Sequence, residues 1–139
     1  MRIINQTPPN LDQIHAAGLF PDLSKTIFTY GDAIYNPAGN EVPKYLVAHE
    51  EVHSEQQARM PGGPEAWWRK YLSDPAFRIA QEAEAYATQL RYMARSKKNP
   101  GARVRILLEL GHILAGSTYG KVIAVEDAIK LIRERSGVI

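Results

Sequence analysis

A long amphipathic helix is the sequence feature that most constrains the fold of this chain. Ser73 and Asp74 are favoured N-cap residues, and Pro75 suits the first helical position. The segment "DPAFRIAQEAEAYATQLRYMARS" therefore predicts one long helix that ends at "KKNPG". At about 100° per residue, its apolar residues form one stripe that should face the interior. That stripe contains Ile79, Ala83, Tyr86, Leu90 and Met93.

The other segments predict a mostly helical chain with one β hairpin. Helices are expected at "PPNLDQIHAAG", from about Lys44 to Met60, and at "PEAWWRKYL", "ARVRILLELGHILAG" and "VEDAIKLIRER". The segment "KTIFTYGDAIYNP" predicts an antiparallel hairpin, because strand-forming residues flank the turn signal "GD". The 139 residues contain no repeat and no linker. We therefore expect a single domain, residues 1–139, of the α+β class and mostly α.

Composition excludes several kinds of site and location. The chain has no cysteine, so disulfides and thiolate ligands are excluded and a zinc site must use histidine and carboxylate. A formal net charge of +2 does not by itself indicate a nucleic-acid partner. No apolar run approaches the ~18 residues of a membrane helix, and the N-terminus lacks the apolar segment of a secretory signal. We therefore expect a cytoplasmic protein with no membrane partner.

The segment "HEEVH", residues 49–53, is the strongest functional signal. On a helix, His49 and His53 lie about 40° apart and share a stripe that should face the interior. Two such imidazoles can converge on one metal ion, and Glu50 then lies beside the open coordination position. The alternative is a histidine pair on a helix with no metal. The glutamate directly after the first histidine favours the zinc site.

A third ligand must come from elsewhere, because Gln56 and Arg59 replace the glycine and histidine of the extended motif. The segment "EAEAY", residues 82–86, offers two carboxylates. Glu82 lies within about 60° of the centre of the apolar stripe, whereas Glu84 lies about 140° away, toward solvent. An interior carboxylate is costly unless it is paired or bound to metal. Glu82 is therefore the predicted third ligand, with a partly buried salt bridge as the alternative.

"HEEVH" on one helix followed by "EAEA" on a second resembles the gluzincin class of zinc metallopeptidases. The segments "TYGDAIYNP", "AHEEVHSEQQ", "WWRKYLSDPAFR" and "YGKVIAVEDAI" resemble small phage-encoded zincin-like proteins over roughly residues 27–132. This resemblance implies a minimal zincin fold in which a reduced sheet packs on the active-site helix. It also implies Zn²⁺ ligands at His49, His53 and Glu82, with Glu50 as catalytic base. The class often has an aspartate at the position of Tyr86, whose hydroxyl could instead hydrogen-bond a ligand.

The resemblance implies hydrolysis of peptide bonds in a peptide or protein substrate. Glu50 would accept a proton from the attacking water and pass it to the leaving amine. Tyr119 in "GSTYGK" is the candidate oxyanion stabiliser, followed by Tyr86 and His112. The alternative for Tyr119 is a turn aromatic that caps the core, and His15 and His112 are expected to be structural. A peptide substrate is expected to add as an edge strand to the hairpin.

Two other functions are compatible with the sequence. Residues 91–105 carry six lysines or arginines and no acid, so they could contact nucleic acid. The alternative is a solvated helix end. The second possibility is a non-catalytic zincin-fold binding protein with a protein or DNA partner and zinc as a scaffold. Trp67 and Trp68 are adjacent and should not both face one core, so one could anchor a partner or pack sideways against a neighbouring helix.

Overall fold

A computed structural model describes all of residues 1–139. The chain has six α-helices, three short strands and one 3-10 turn, so its fold class is α+β and mostly α, as the sequence predicts. The elements in chain order are β1 (Arg2–Ile4), α1 (Leu11–Ala17), β2 (Phe28–Tyr30), β3 (Ala33–Tyr35), α2 (Lys44–Arg59), α3 (Gly63–Ser73), α4 (Pro75–Ala94), α5 (Pro100–Leu114), the turn Ser117–Tyr119, and α6 (Val125–Ser136).

Local signals account for the helix ends. The Asp74 side chain accepts a hydrogen bond from the Phe77 N–H at 3.1 Å, which caps α4. Asn99 caps α5 in the same manner through the Gly101 N–H at 2.8 Å. Helix α1 begins only at Leu11, after the two prolines, and α2 ends one residue before the predicted Met60. These differences lie within the usual uncertainty of helix boundaries.

The sheet contains the predicted hairpin and one strand that was not predicted. Strands β2 and β3 pair antiparallel through the turn at Gly31, whose φ of 64° is easily reached by glycine. Strand β1 pairs with β3 in parallel, which gives the order β1-β3-β2. Arg2 forms an ion pair with Asp32 at 2.9 Å across this edge. The hairpin is therefore confirmed, and it is part of a three-stranded sheet.

The β2 edge of the sheet is covered by side chains from α2 and α3. Gln57 donates from Nε2 to the Thr29 carbonyl at 2.8 Å and accepts from the Gly31 N–H at 2.7 Å. Trp68 Nε1 donates to the same Thr29 carbonyl at 2.9 Å. That carbonyl already has two donors, so a peptide cannot add to the sheet there. These contacts argue against substrate addition at Thr29, and addition of a substrate strand elsewhere along the hairpin stays a prediction.

Helix α4 lies at the centre of the helical layer and contacts α2, α3, α5 and α6. One buried apolar cluster joins α3, α4, α5 and α6 to α1 and β2. Trp67 and Trp68 are both buried, which favours the alternative of packing against neighbouring elements over that of an exposed partner anchor. Trp67 Nε1 donates to Gln81 Oε1 on α4 at 2.9 Å, whereas Trp68 faces the sheet. None of the helices combines the length and the apolar character needed to cross a membrane.

Candidate metal centre

Helices α2 and α4 pack against each other and bring His49, His53 and Glu82 together. The two histidine Nε2 atoms lie 3.2 Å apart. Glu82 spans the pair, with Oε1 at 3.2 Å from His49 Nε2 and Oε2 at 3.2 Å from His53 Nε2. All three side chains are buried. The structure thus brings together the three residues that the sequence predicts as ligands.

The spacing of these donor atoms fits a small divalent cation. Zinc bonds to histidine nitrogen and carboxylate oxygen are about 2.0–2.1 Å long, so neighbouring donors in a tetrahedral site lie about 3.3–3.4 Å apart. The three separations of 3.2 Å are close to that value. Two imidazoles and one carboxylate leave one position of a tetrahedron for water or substrate, which is typical of catalytic zinc sites. The donor set therefore fits zinc both in chemistry and in geometry.

Two glutamines orient the histidine rings. His49 Nδ1–H donates to Gln89 Oε1 at 3.0 Å, and His53 Nδ1–H donates to Gln56 Oε1 at 2.8 Å. The orientation of the Gln56 amide is set by its Nε2, which donates to the Gln81 carbonyl at 3.0 Å. In a metal-bound state, each neutral ring would keep its proton on Nδ1 and present its Nε2 lone pair to the cluster. This is the tautomer that a metal-ligating histidine needs.

The metal-free cluster holds a proton. Burial lowers the pKa of His53, but the nearby Glu82 carboxylate outweighs burial and raises that pKa to about 9. Burial likewise raises the pKa of Glu82, but the charge on His53 and the hydrogen bonds from both histidines bring it well below its usual range. Glu82 is therefore an anion, and a positive charge beside it stabilises the buried group.

Aromatic side chains enclose the cluster. The Tyr71 hydroxyl donates to Glu82 Oε2 at 2.7 Å, and burial followed by the charge of Glu82 raises the pKa of Tyr71 well above its usual value. The Tyr86 ring lies edge-on to the His49 ring, with centroids 4.5 Å apart, and the Trp67 ring lies 5.4 Å from that of His53. These aromatic contacts help to bury the three side chains of the cluster.

Glu50 lies beside the cluster without belonging to it. It is buried and lines the same cavity as His49, His53 and Glu82, but it is not one of the residues that meet as ligands. Thr29 Oγ1 donates to Glu50 Oε2 at 2.7 Å. This hydrogen bond from β2 holds one carboxylate oxygen, so the sheet helps to position the group that the sequence predicts as general base.

A cavity of about 360 Å³ opens onto the cluster and includes Tyr119 in its wall. The Tyr119 and Tyr86 hydroxyls lie 2.7 Å apart. Burial, and then the charge of Glu82, raise the pKa of Tyr119 well above its usual value, so its hydroxyl keeps a proton to donate. The sequence suggested that the Tyr86 hydroxyl could hydrogen-bond a ligand histidine. In the structure that hydroxyl meets the Tyr119 hydroxyl instead. Tyr119 also packs edge-on against Phe20 in the core, with ring centroids 6.3 Å apart.

Arg78 fixes the backbone at Tyr71 and Tyr119, two of the three tyrosines that approach the site. Its buried guanidinium donates to the carbonyls of Tyr71 at 3.0 Å, Leu72 at 3.1 Å and Tyr119 at 3.0 Å. Gly120 follows Tyr119 with a φ of 93°, and a Cβ there would lie 3.3 Å from Arg78 Nη1. The close approach of the guanidinium and the left-handed backbone both favour glycine at that position.

The other candidate residues lie outside the cluster. Glu84 is partly exposed and pairs with Arg59 at 3.3 Å, in agreement with its predicted phase on α4. His15 and His112 are exposed, and neither lines the cavity. The rival placement of His112 as an oxyanion stabiliser is therefore wrong.

The basic segment 91–105 forms the end of α4, a loop and the start of α5. Arg91 donates to the carbonyl of Arg135 at 3.1 Å, and Arg103 donates to that of Lys97 at 2.6 Å. These contacts favour the alternative that the segment is a solvated helix end. Nucleic-acid binding by the segment stays a prediction.

Sequence reasoning missed the partners of the ligands. Gln56 was considered as the residue that replaces the glycine of the extended motif, and it was given no role at the site. Gln89 lies seven residues after Glu82, which is the same face of a helix two turns later, so helical phase could have found it. Tyr71 and Arg78 carry no comparable signal, because their contacts depend on how α3 packs against α4.

Comparison with family models, with curated proteins and with solved structures finds no match for this chain. The resemblance to gluzincins, the phage origin and the cytoplasmic location therefore stay predictions.

Proposed function

We propose that this protein is a zinc-dependent metallopeptidase. The observation that carries the proposal is the spacing of the donor atoms of His49, His53 and Glu82, which lie 3.2 Å from one another with both histidine Nδ1 atoms held by glutamines. An isolated histidine pair on a helix would not need that arrangement. The cavity beside the cluster gives a substrate access to it.

The residues of the chain suit the chemistry of amide hydrolysis. A zinc ion held by His49, His53 and Glu82 would polarise the scissile carbonyl and lower the pKa of water at the open position. Glu50, oriented by Thr29, would accept a proton from the attacking water and transfer it to the leaving amine. The protonated hydroxyl of Tyr119 would donate a hydrogen bond to the developing oxyanion.

Metal content tests the ligand set. We expect one zinc ion per chain in the wild-type protein and loss of that zinc in the Glu82→Ala variant. Glu84→Ala is the matched control, since Glu84 lies on the same helix and is partly exposed. Elemental analysis after exhaustive dialysis measures both. Zinc that survives Glu82→Ala but disappears in Glu84→Ala would contradict the proposed ligand set.

Peptide hydrolysis tests the role of Glu50. The Glu50→Gln variant keeps the size of the side chain and the contact with Thr29 but loses its basicity. We expect it to keep zinc while cleavage of a diverse peptide pool falls by a factor of roughly 100 or more. Mass spectrometry of the pool compares the two proteins. Equal cleavage by both would refute the assigned role.

The alternative function is a non-catalytic zincin-fold binding protein in which zinc is a structural scaffold. Stoichiometric zinc without cleavage of any peptide by the wild-type protein would favour it.

A further inference from the structure

We propose that the cavity selects peptide substrates carrying a positively charged group, and that Glu109 is the residue that recognises it. This inference rests on the proposed function, since it names the substrate class of the same cavity. Glu109 is an exposed residue of α5 that lines the cavity.

Apart from the two histidines of the candidate metal centre, the charges that line the cavity are negative. No lysine or arginine lines it, and its ionisable groups other than tyrosine are two histidines and three carboxylates. His49, His53 and Glu82 are engaged with one another in the candidate metal centre. Glu50 accepts a hydrogen bond from Thr29. Glu109 is therefore the lining carboxylate left without a role in the proposed chemistry.

The charge of Glu109 would remain uncompensated in the metal-bound cavity. A divalent cation in the centre would offset the two negative charges of Glu50 and Glu82, which leaves the charge of Glu109 uncompensated. Low-dielectric walls concentrate the field of such a charge inside a cleft. An acidic side chain of the substrate would enter this field without meeting a cation of the protein, whereas a basic side chain would find a partner.

The contacts of Glu109 leave it free to act in this way. Its carboxylate has no ion pair within 4.0 Å and no side-chain hydrogen bond, although Arg105 lies one turn earlier on α5. Arg105 lines a neighbouring surface depression, together with Glu109 and Ile113, but it does not line the cavity. Glu109 and Ile113 belong to both, so a bound peptide can leave the cavity past them along α5.

Peptide binding to the zinc-loaded Glu50→Gln protein tests the inference without cleavage. The peptides share one uncharged sequence, are N-acetylated and carry a fluorescent label. For each position in turn, three peptides are compared, which carry Lys, Gln or Glu there. At one position we expect the Lys peptide to bind roughly two- to fivefold tighter than the Gln peptide, the range expected for an exposed ion pair. The same peptides with a free N-terminus show whether an ammonium group can replace the lysine side chain.

Three further substitutions, each added to the Glu50→Gln protein, identify the residue responsible for the charge preference. Glu109→Gln should remove the preference for Lys, and Glu109→Lys should reverse it, so that the Lys-to-Glu affinity ratio changes by roughly tenfold. Glu134→Gln removes an exposed carboxylate of α6 that lines neither the cavity nor the depression, and it should leave the ratio unchanged. The ratio should also fall at high salt, where exposed charges are screened.

A Lys preference that persists in Glu109→Gln, or no binding of any peptide, would overturn the inference. Cleavage of peptides by the wild-type protein with no effect of Glu109 on charge preference would overturn it while leaving the peptidase function intact. Binding with a charge preference that depends on Glu109, without cleavage by the wild-type protein, would support it and contradict the peptidase function.

Discussion

Substitutions at two neighbouring glutamines of α2 should affect metal affinity and fold stability separately. Gln56 and Gln57 are both buried, and each makes two hydrogen bonds, but they face different parts of the molecule. Gln56 accepts from His53 Nδ1–H, whereas Gln57 joins α2 to the β2–β3 turn. We expect Gln56→Leu to weaken zinc binding and Gln57→Leu to weaken the fold.

The structure sets the size of each effect. In Gln56→Leu, His53 loses the acceptor that keeps its proton on Nδ1, so the proton can move to the nitrogen that faces the metal. Loss of such a partner typically lowers metal affinity by about 10–100-fold, or about 1.4–2.8 kcal/mol. In Gln57→Leu, the Gly31 N–H loses its partner, while the Thr29 carbonyl keeps the bond from Trp68. Because Gly31 is only partly buried, loss of this partner should cost about 1 kcal/mol of unfolding free energy, the low end of the range for a buried donor.

Competition with a chromophoric chelator measures the zinc affinity of the two variants, and urea unfolding of the metal-free proteins measures their stability. We expect the affinity of Gln57→Leu to stay within about twofold of the wild-type value, because its contacts do not reach the ligands. Equal losses of zinc affinity in both variants would show that Gln56 acts only through the fold. Unchanged affinity in Gln56→Leu would refute the assigned orientation of His53.

Three further predictions concern stability. Arg78→Met should lower the free energy of unfolding by roughly 3 kcal/mol in urea titrations, because the carbonyls of Tyr71, Leu72 and Tyr119 lose a charged donor; a cost below 1 kcal/mol would contradict this. Gly111→Ala should cost about 1–3 kcal/mol, because its Cβ would lie 2.3 Å from Cγ1 of Ile129 where α5 meets α6; an unchanged melting temperature would be the contrary result. Removal of zinc by a chelator should lower the melting temperature, since ligands from α2 and α4 tie the core together, and identical scans with demonstrably metal-free protein would count against it.

Helical phase was sufficient to predict the positions of the candidate ligands. His49 and His53 are one turn apart on α2, and the choice of Glu82 over Glu84 required only the angle of each residue from the apolar stripe of α4. Both are properties of a single helix, so the sequence contains them. The apolar stripes of α2 and α4 explain only in part why the two helices meet at these residues. The packing that brings them within 3.2 Å is a tertiary property.

The features that could not be predicted depend on contacts between distant segments. Strand β1 has three residues, and its parallel pairing with β3 joins positions about thirty residues apart, so no local pattern marks it. The adjacent tryptophans are both buried because α3 has neighbours on two sides. Trp67 faces α4 and Trp68 faces the sheet. The two side chains do not share one face of the helix, and the sequence alone does not show which faces of α3 are covered by other elements.

The proton count of the cluster distinguishes a metal site from the alternative of a buried salt bridge. A salt bridge to Glu82 needs one protonated histidine, and the pKa of His53 near 9 supplies one. When the His49 proton is on Nδ1, toward Gln89, the single Nε2 proton of His53 can point to Glu82 or to His49, but not to both, and His49 Nε2 presents only a lone pair to its two neighbours at 3.2 Å. One of these contacts therefore has no proton, and a buried acceptor without a partner costs about 1–3 kcal/mol. Protonating both histidines would place two like charges in contact. A divalent cation would accept lone pairs from all three residues at once, so the arrangement of the cluster favours metal binding over a salt bridge.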